Sequence, residues 1–252
     1  MISEELREFA KSPDAYVTLP PGFRRVQNSR FSLLLGPTPA FTTIQRVRIE
    51  PDALEATLHE VRGLVREHDH VGGTWWLEDK RLSEGLRELG LKEPLNGEAE
   101  LTAMAIAEPP RPGPDGVAAG PVETAEEYVE AAEIRHEALG DPLPGAAELA
   151  EDFRAEREAG IVVTFVARVD GRVAGTVSGV YGPLGGVGFG AATAGWARGR
   201  GAYSALVRAR WDEAVRRGTP AFVTQGGRMS KPILARRGFE EICVLRRVQD
   251  RP

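Results

Sequence analysis

Arg198-Gly199-Arg200-Gly201-Ala202-Tyr203 joins a strand-like run of small residues, 187–193, to a strongly amphipathic run, 202–217. Two glycines at that junction let the backbone take positive φ and approach a ligand closely. The first amides of the following helix have no intrahelical acceptor and stand at the positive end of its dipole. Such a turn is a ready site for phosphate. Arg198 and Arg200 add charge. From Trp196 to Gly218 there are six Arg against two acids, and from Arg228 to Arg237 four basic residues and no acid. The turn is not a Walker loop, because no Gly-Lys-Ser/Thr follows. It is not a dinucleotide fingerprint either, because the third glycine is missing.

Working outward, the pattern predicts alternating elements. Helices are expected over 124–139, where Thr124 and Glu127 form a capping-box signature, and over 148–159. Strands are expected over 161–169 and 172–181, joined by the tight turn Asp170-Gly171. Beyond the long helix lie a strand at 221–224, a short helix at 230–237 ended by Gly238, and a strand at 242–248. A further strand at 117–122 would open this α/β unit.

Upstream, Glu108–Pro121 carries five prolines in fourteen residues, which no helix interior or central strand accepts. This predicts a linker at 108–116 between an N-terminal domain, 1–107, and a C-terminal domain, 117–252. The N-terminal part repeats the back half of the same order. Strands are expected at 31–35 and 42–49, a helix at 52–68, a strand at 74–77, a short helix at 82–89 and a strand at 101–106. Its short helix ends at Gly90-Leu91 as the other ends at Gly238-Phe239. A shift of 148 residues superposes these endings and also the long helices.

The run Arg198–Tyr203 resembles the Arg/Gln-x-x-Gly-x-Gly/Ala phosphate loop of the GNAT (GCN5-related) N-acetyltransferases. The Gly238-Phe239 ending after a short helix opened by Ser230, and the element order of 117–252, resemble that family too. The resemblance implies an α/β (α+β) fold, a splayed mixed sheet flanked by helices, with residues 28–107 as a partial, degenerate copy. It implies acetyl-CoA or another acyl-CoA as co-substrate, and no metal. Backbone groups of Ala191, Ala192 and Thr193 would hold the pantetheine arm. Arg198, Gly199, Arg200, Gly201, Ala202 and Tyr203 would hold the pyrophosphate, with Ser230 nearby. The sequence departs from the family pattern in three ways. Tyr203 fills a place usually Gly or Ala, Leu234 stands where many members carry an acidic tyrosine, and the run 187–193 has no carboxylate to serve as base. The catalytic groups are therefore unassigned, with Tyr203, His136 and Glu137 as candidates.

The whole chain bounds these readings. It has 252 residues, 32 Lys plus Arg and 37 Asp plus Glu, for a net charge of −5. That balance argues against general binding to a nucleic acid backbone, which needs a broad basic surface. The single cysteine, Cys243, excludes an intrachain disulfide. No apolar run is long enough to span a membrane and no signal core opens the chain. Together these predict a soluble, cytoplasmic protein. His68-Asp69-His70 could suggest a metal, but residues two apart at a helix end diverge and no third ligand is close in sequence, which argues against one. The acidic stretches 123–137 and 148–158 are ordinary solvated helix faces or a rim that attracts a cationic amine. Trp75-Trp76 places one ring on each side of a strand. Two functions compete: an acyl-CoA-dependent N-acyltransferase acting on a primary amine of a small molecule or peptide, and a CoA-binding protein without transferase activity. Turnover of acetyl-CoA with amines separates them.

Overall fold

The capping and turn signals act where the sequence places them. In the computed structural model, which describes residues 1–95, 97–112, 115–140 and 142–251, the Thr124 side chain accepts from the Glu127 amide at 3.2 Å. The Glu127 carboxylate accepts from the Glu123 amide at 3.0 Å. Asp170 and Gly171 both take positive φ, 54° and 77°, and close a hairpin. Gly140, Gly160 and Gly238 end helices in the left-handed conformation. Of the expected linker, Gly113 and Pro114 lie outside the described residues.

The N-terminal part forms α1 (Glu4–Lys11), β1 (Arg24–Gln27), β2 (Ser32–Leu35), β3 (Thr42–Gln45), α2 (Leu54–Glu67), β4 (Gly73–Leu77), α3 (Lys80–Glu88) and β5 (Glu100–Ile106). The C-terminal part forms β6 (Val117–Pro121), α4 (Ala125–Leu139), α5 (Ala146–Ala159), β7 (Val162–Val169), β8 (Arg172–Gly182), β9 (Gly185–Thr193), α6 (Ala202–Arg216), β10 (Phe222–Gly226), α7 (Lys231–Arg237) and β11 (Glu240–Asp250). Two elements were not expected. Helix α1 has eight residues, capped by Ser3, and β1 is an edge strand with two arginines. Neither has the length or apolar alternation that marks an element in sequence.

All the strands join one 11-stranded sheet, in the order β1-β2-β3-β4-β11-β5-β10-β9-β8-β7-β6. Among the described residues only β3–β4 and β9–β10 pair in parallel; the other neighbouring strands are antiparallel. These two parallel pairs occupy equivalent places in the two parts, as the 148-residue shift requires. The last strand of each part crosses to the other. Strand β5 pairs with β10, Ile106 opposite Phe222, and β11 pairs with β4, Leu77 opposite Arg246. The proline-rich segment divides the chain but not the sheet. Ala103, Met104 and Ala105 are fully buried at this junction.

Strand alternation sends successive residues to opposite faces. Phe165 and Ala167 meet Leu206, Val207 and Trp211 of α6, whereas Val166 meets Ala131 of α4 and Phe153 of α5. On that second face α1 buries Leu6 and Phe9 against Ala103, Val223 and Leu245. Burying such side chains contributes roughly 1.5–3 kcal/mol each. The short N-terminal helix thus helps fasten the exchanged strands. Helices α2 and α3 close the N-terminal part over Ile44, Trp75 and Val248. Trp75 is sealed there, while Trp76 packs on the α1 side under Arg247.

Candidate functional site

A cleft opens where β9 and β10 part. Their pairing covers Gly186–Phe222, Val187–Val223 and Gly188–Thr224 and then stops, although β9 runs on to Thr193 and β10 to Gly226. The cause lies in β9. Opposite β8 its register shifts between the pairs Ser178–Phe189 and Thr176–Ala192, so Gly190 and Ala191 form a bulge. Gly190 has φ +64°, and a side chain there would meet the Arg135 guanidinium of α4. The one extra residue swings the end of β9 away from β10. The Thr224 hydroxyl donates to the Gly188 carbonyl at 3.2 Å and holds the apex. Ala191, within the bulge, and Ala192 and Thr193 after it lie along the edge left unpaired by β10, Ala192 with its side chain in the α6-face core.

The glycine turn stands at the end of that edge. After a 3-10 turn at Gly195–Ala197, Gly199 takes φ +76° and Gly201, the N-cap of α6, φ +93°. No side chain caps the helix, so the amides of Ala202, Tyr203 and Ser204 point outward without an intrahelical acceptor. A Cβ on Gly199 would meet nothing within 4 Å. Arg198 is exposed. Arg200 turns to Asp170 at 2.7 Å, and with Arg172 stacks on Trp196. Tyr203 packs its ring inward on the α6-face core, 5.9 Å from the Arg210 guanidinium. Its side chain therefore leaves the turn clear.

Other expected residues fall in different places. The Ser230 hydroxyl accepts from the Gly227 amide at 3.1 Å and shapes the entry to α7. His136 and Glu137 are exposed near the end of α4, and the residue of that helix set against the β9 bulge is Arg135. Leu234 is fully buried in the core. Cys243 is half-buried, and burial, followed by the nearby Glu78, pushes its thiol up to about 12. His68 Nδ1 lies 2.9 Å from the Leu64 carbonyl and His70 Nδ1 3.1 Å from the Thr42 hydroxyl. Among the described residues no three His, Cys, Asp or Glu side chains gather as a metal site. No helix among them is long and apolar enough to cross a membrane.

Sequence reasoning missed two features. Arg237 of α7 donates to the Ser204 hydroxyl at 3.1 Å, tying α7 to the first turn of α6. A polar cluster also lies on the α4/α5 face, beside the bulge. The Glu156 carboxylate accepts from the Thr164 amide at 2.5 Å, the Thr164 hydroxyl at 2.9 Å and the Tyr128 hydroxyl at 3.3 Å. Thr164 in turn lies 3.2 Å from the Ser178 hydroxyl. Burial pushes Glu156 above the ordinary carboxylate range, against the hydrogen bonds and Arg135, which pull it down. In sequence Glu156 is one acid among several on a charged helix. Only the alternation that turns Thr164 away from Phe165 hinted at its partner. A separate cavity of about 440 Å3 lies in the N-terminal part, lined by Ile44, Val61, Val65 and Trp75, with the Arg62–Asp250 ion pair on its wall. None of the cleft residues lines it.

No family model matches the chain, and no curated protein matches it in sequence. Solved structures do match. A GCN5-related N-acetyltransferase from Kribbella flavida is 17% identical and aligns over 97% of this chain and 95% of its own, with a TM-score of 0.68. A GCN5-related N-acetyltransferase from Sphaerobacter thermophilus is 18% identical over 89% of this chain and 82% of its own, TM-score 0.62. A tandem GNAT protein from the clavulanic acid biosynthesis pathway is 15% identical over 92% and 84%, TM-score 0.59. The chain has the splayed mixed-sheet fold of the GNAT N-acetyltransferases over nearly its whole length, in a two-part arrangement.

Proposed function

We propose that this protein is an acyl-CoA-dependent N-acyltransferase, in its simplest form an acetyltransferase, that passes the acyl group directly to a primary amine of a small molecule or peptide. The observation that carries this reading is the cleft between β9 and β10 opening onto the uncapped glycine turn of α6. The residues present fit an acyl-CoA. Outward amides at Ala202–Ser204 and the positive-φ glycines 199 and 201 suit a pyrophosphate, helped by the helix dipole. The free edge at Ala191–Thr193 offers backbone groups to the pantetheine amides. Residues 117–252 would form the catalytic domain, and 1–107 a degenerate companion without a cofactor site, joined through 108–116.

In the transfer the ammonium first gives up a proton to solvent, and the neutral amine nitrogen attacks the thioester carbonyl carbon. The C–N bond forms, the C–S bond breaks and CoA leaves as thiolate. A backbone N–H at the bulge, near Ala191 or Ala192, would stabilise the developing oxyanion, commonly a large share of acyl-transfer catalysis. Holding both reactants in one cleft contributes several kcal/mol more. The acidic faces of α4 and α5 border the acceptor side and favour a cationic amine.

A second reading, a CoA-binding protein without transferase activity, draws support from the buried Leu234 and from a β9 without carboxylates. Calorimetry with acetyl-CoA, followed by thiol release with spermidine, tyramine and a lysyl dipeptide, separates the two. Binding with turnover supports the transferase. Binding without turnover across the panel supports the second reading, and absence of binding removes both.

A further inference from the structure

We propose that Ser178, Thr164 and Glu156 form the path by which the acceptor amine loses its proton. This rests on the acyltransferase reading and supplies the base that β9 lacks. Three facts put the path in the right place. Thr164 pairs with Ser178 across β7 and β8, and Ser178 pairs with Phe189 across β8 and β9. Phe189 immediately precedes the bulge that opens the cleft. Neighbouring strands lie roughly 4.7–4.9 Å apart, so the row steps straight from Glu156 toward the thioester position. Ser178 and Thr164 also turn their hydroxyls to the α4/α5 face, the face on which Gly190 meets Arg135.

The hydrogen bonds fix a direction for the proton. The Thr164 hydroxyl donates to Glu156 Oε2, so its oxygen accepts from the Ser178 hydroxyl. The Ser178 oxygen, which is buried beneath the end of β9, is then left to accept from the attacking amine through one water. As the C–N bond forms, the amine proton passes through that water to Ser178, the Ser178 proton to Thr164 and the Thr164 proton to Glu156. Both hydroxyls are restored, Glu156 becomes a neutral acid, and the thiolate carries away the electron pair of the C–S bond. The neutral acid later returns its proton to solvent or thiolate. Ser178 acts through the water; Thr164 and Glu156 act through Ser178. The groups facing Glu156 are Thr164 from β7 and Tyr128 and Arg135 from α4, with Asp152 of its own helix acting on Tyr128. Burial lifts the carboxyl above its ordinary value, which makes the carboxylate a stronger base than an exposed one.

The test uses the full chain, acetyl-CoA and whichever amine of the panel turns over. Thr164→Val keeps the side-chain shape and removes the hydroxyl; Thr164→Ser keeps the hydroxyl. Expected are falls in kcat of about 100-fold or more for Thr164→Val and Ser178→Ala, with KM for acetyl-CoA and melting temperature unchanged. Thr164→Ser should recover most of the loss, and Glu156→Gln should abolish the acidic limb of the kcat–pH profile. Wild-type kcat with an unaltered pH profile in Thr164→Val or Ser178→Ala would overturn the relay while leaving the acyltransferase reading intact. A loss that tracks melting temperature or acetyl-CoA affinity would overturn it too. A wild-type protein that binds acetyl-CoA yet acylates no amine would overturn the reading itself, and the relay with it.

Discussion

Arg210 lies against Gly188: its guanidinium fills the space that a Cβ on Gly188 would take, at the last residue pair joining β9 to β10. The arginine is fully buried. Its Nε donates to the Leu206 carbonyl at 3.3 Å, and its charge sits 4.9 Å from the Phe222 ring and 5.9 Å from that of Tyr203. The apex of the cleft is therefore built on a glycine that admits a cation stacked between rings.

Gly188→Ala should disturb both stability and the cleft. The methyl overlaps Arg210, which cannot leave without exposing Phe222. Overpacking of this kind costs about 1–3 kcal/mol. Urea unfolding should show that loss, together with weaker acetyl-CoA binding because the apex sets the opening of β9. Unchanged stability and affinity would mean that Arg210 is free to move.

Gly201→Asp should abolish acetyl-CoA binding while the fold survives. The φ of +93° lies beyond the left-handed region that Asp favours and strains the turn, but Asp tolerates positive φ better than most residues and the turn at 198–200 is exposed outside the core. A carboxylate at the helix start opposes a phosphate by on the order of 4 kcal/mol at about 4 Å. Affinity should fall by at least about 100-fold with an unchanged circular dichroism spectrum. Retained affinity would remove the main support for the proposed function.

The glycine turn and the element order of 117–252 were legible because each rests on local chemistry, whereas the splay came only as what the family resemblance implies. Gly199 and Gly201 have a conformational reason to be glycine, and the Thr124 cap and the Asp170-Gly171 turn have short-range signatures. The exchange of β5 and β11 was not legible. Leu101–Ile106 carries the same apolar run whether it pairs within its own part or with β10. The bulge at Gly190 was invisible for a similar reason, since only the register against β8 reveals the extra residue. The candidate relay escaped because Glu156 differs from its acidic neighbours only in what β7 places beneath it.

Asp14 should shape the stability–pH curve. It sits in the 3-10 turn Pro13–Ala15, its carboxylate accepting from the Thr43 hydroxyl and its amide donating to Gln45 Oε1 at 3.1 Å. Burial raises its pKa above the ordinary 3.8, while Thr43 and Arg25 oppose the shift. A raised folded-state pKa means that the folded chain holds the proton more tightly. The associated stability is complete below the unfolded value and is lost as pH rises through the folded one. Asp14→Asn cannot titrate. The melting temperature of wild type minus that of Asp14→Asn should therefore fall as pH rises above the ordinary carboxylate value of about 4. A difference that grows with pH would show the carboxylate to be stabilised rather than penalised.

The N-terminal part should bind no CoA, leaving one site per chain. Its counterpart of the glycine turn is Ile49-Glu50-Pro51-Asp52, which leads through a 3-10 turn at Pro51–Ala53 into α2. No glycine lies there, so the backbone lacks the positive φ values that shape the turn at Gly199 and Gly201. Pro51 has no N–H to offer. Glu50 and Asp52 flank the helix start, where carboxylates complement the dipole and occupy the place of an anionic ligand. Repulsion between either one and a phosphate is on the order of a few kcal/mol at about 4 Å near a protein surface. The parallel pair β3–β4 is also short, linking Thr43 to Thr74 and Ile44 to Trp75, and β3 ends at Gln45. That leaves little strand edge for a pantetheine arm. Calorimetric titration with acetyl-CoA should give a stoichiometry of one, and Gly201→Asp should remove all of it. Two sites per chain, or residual binding in Gly201→Asp that Asp52→Ala strengthens, would show that the N-terminal part has kept a cofactor site.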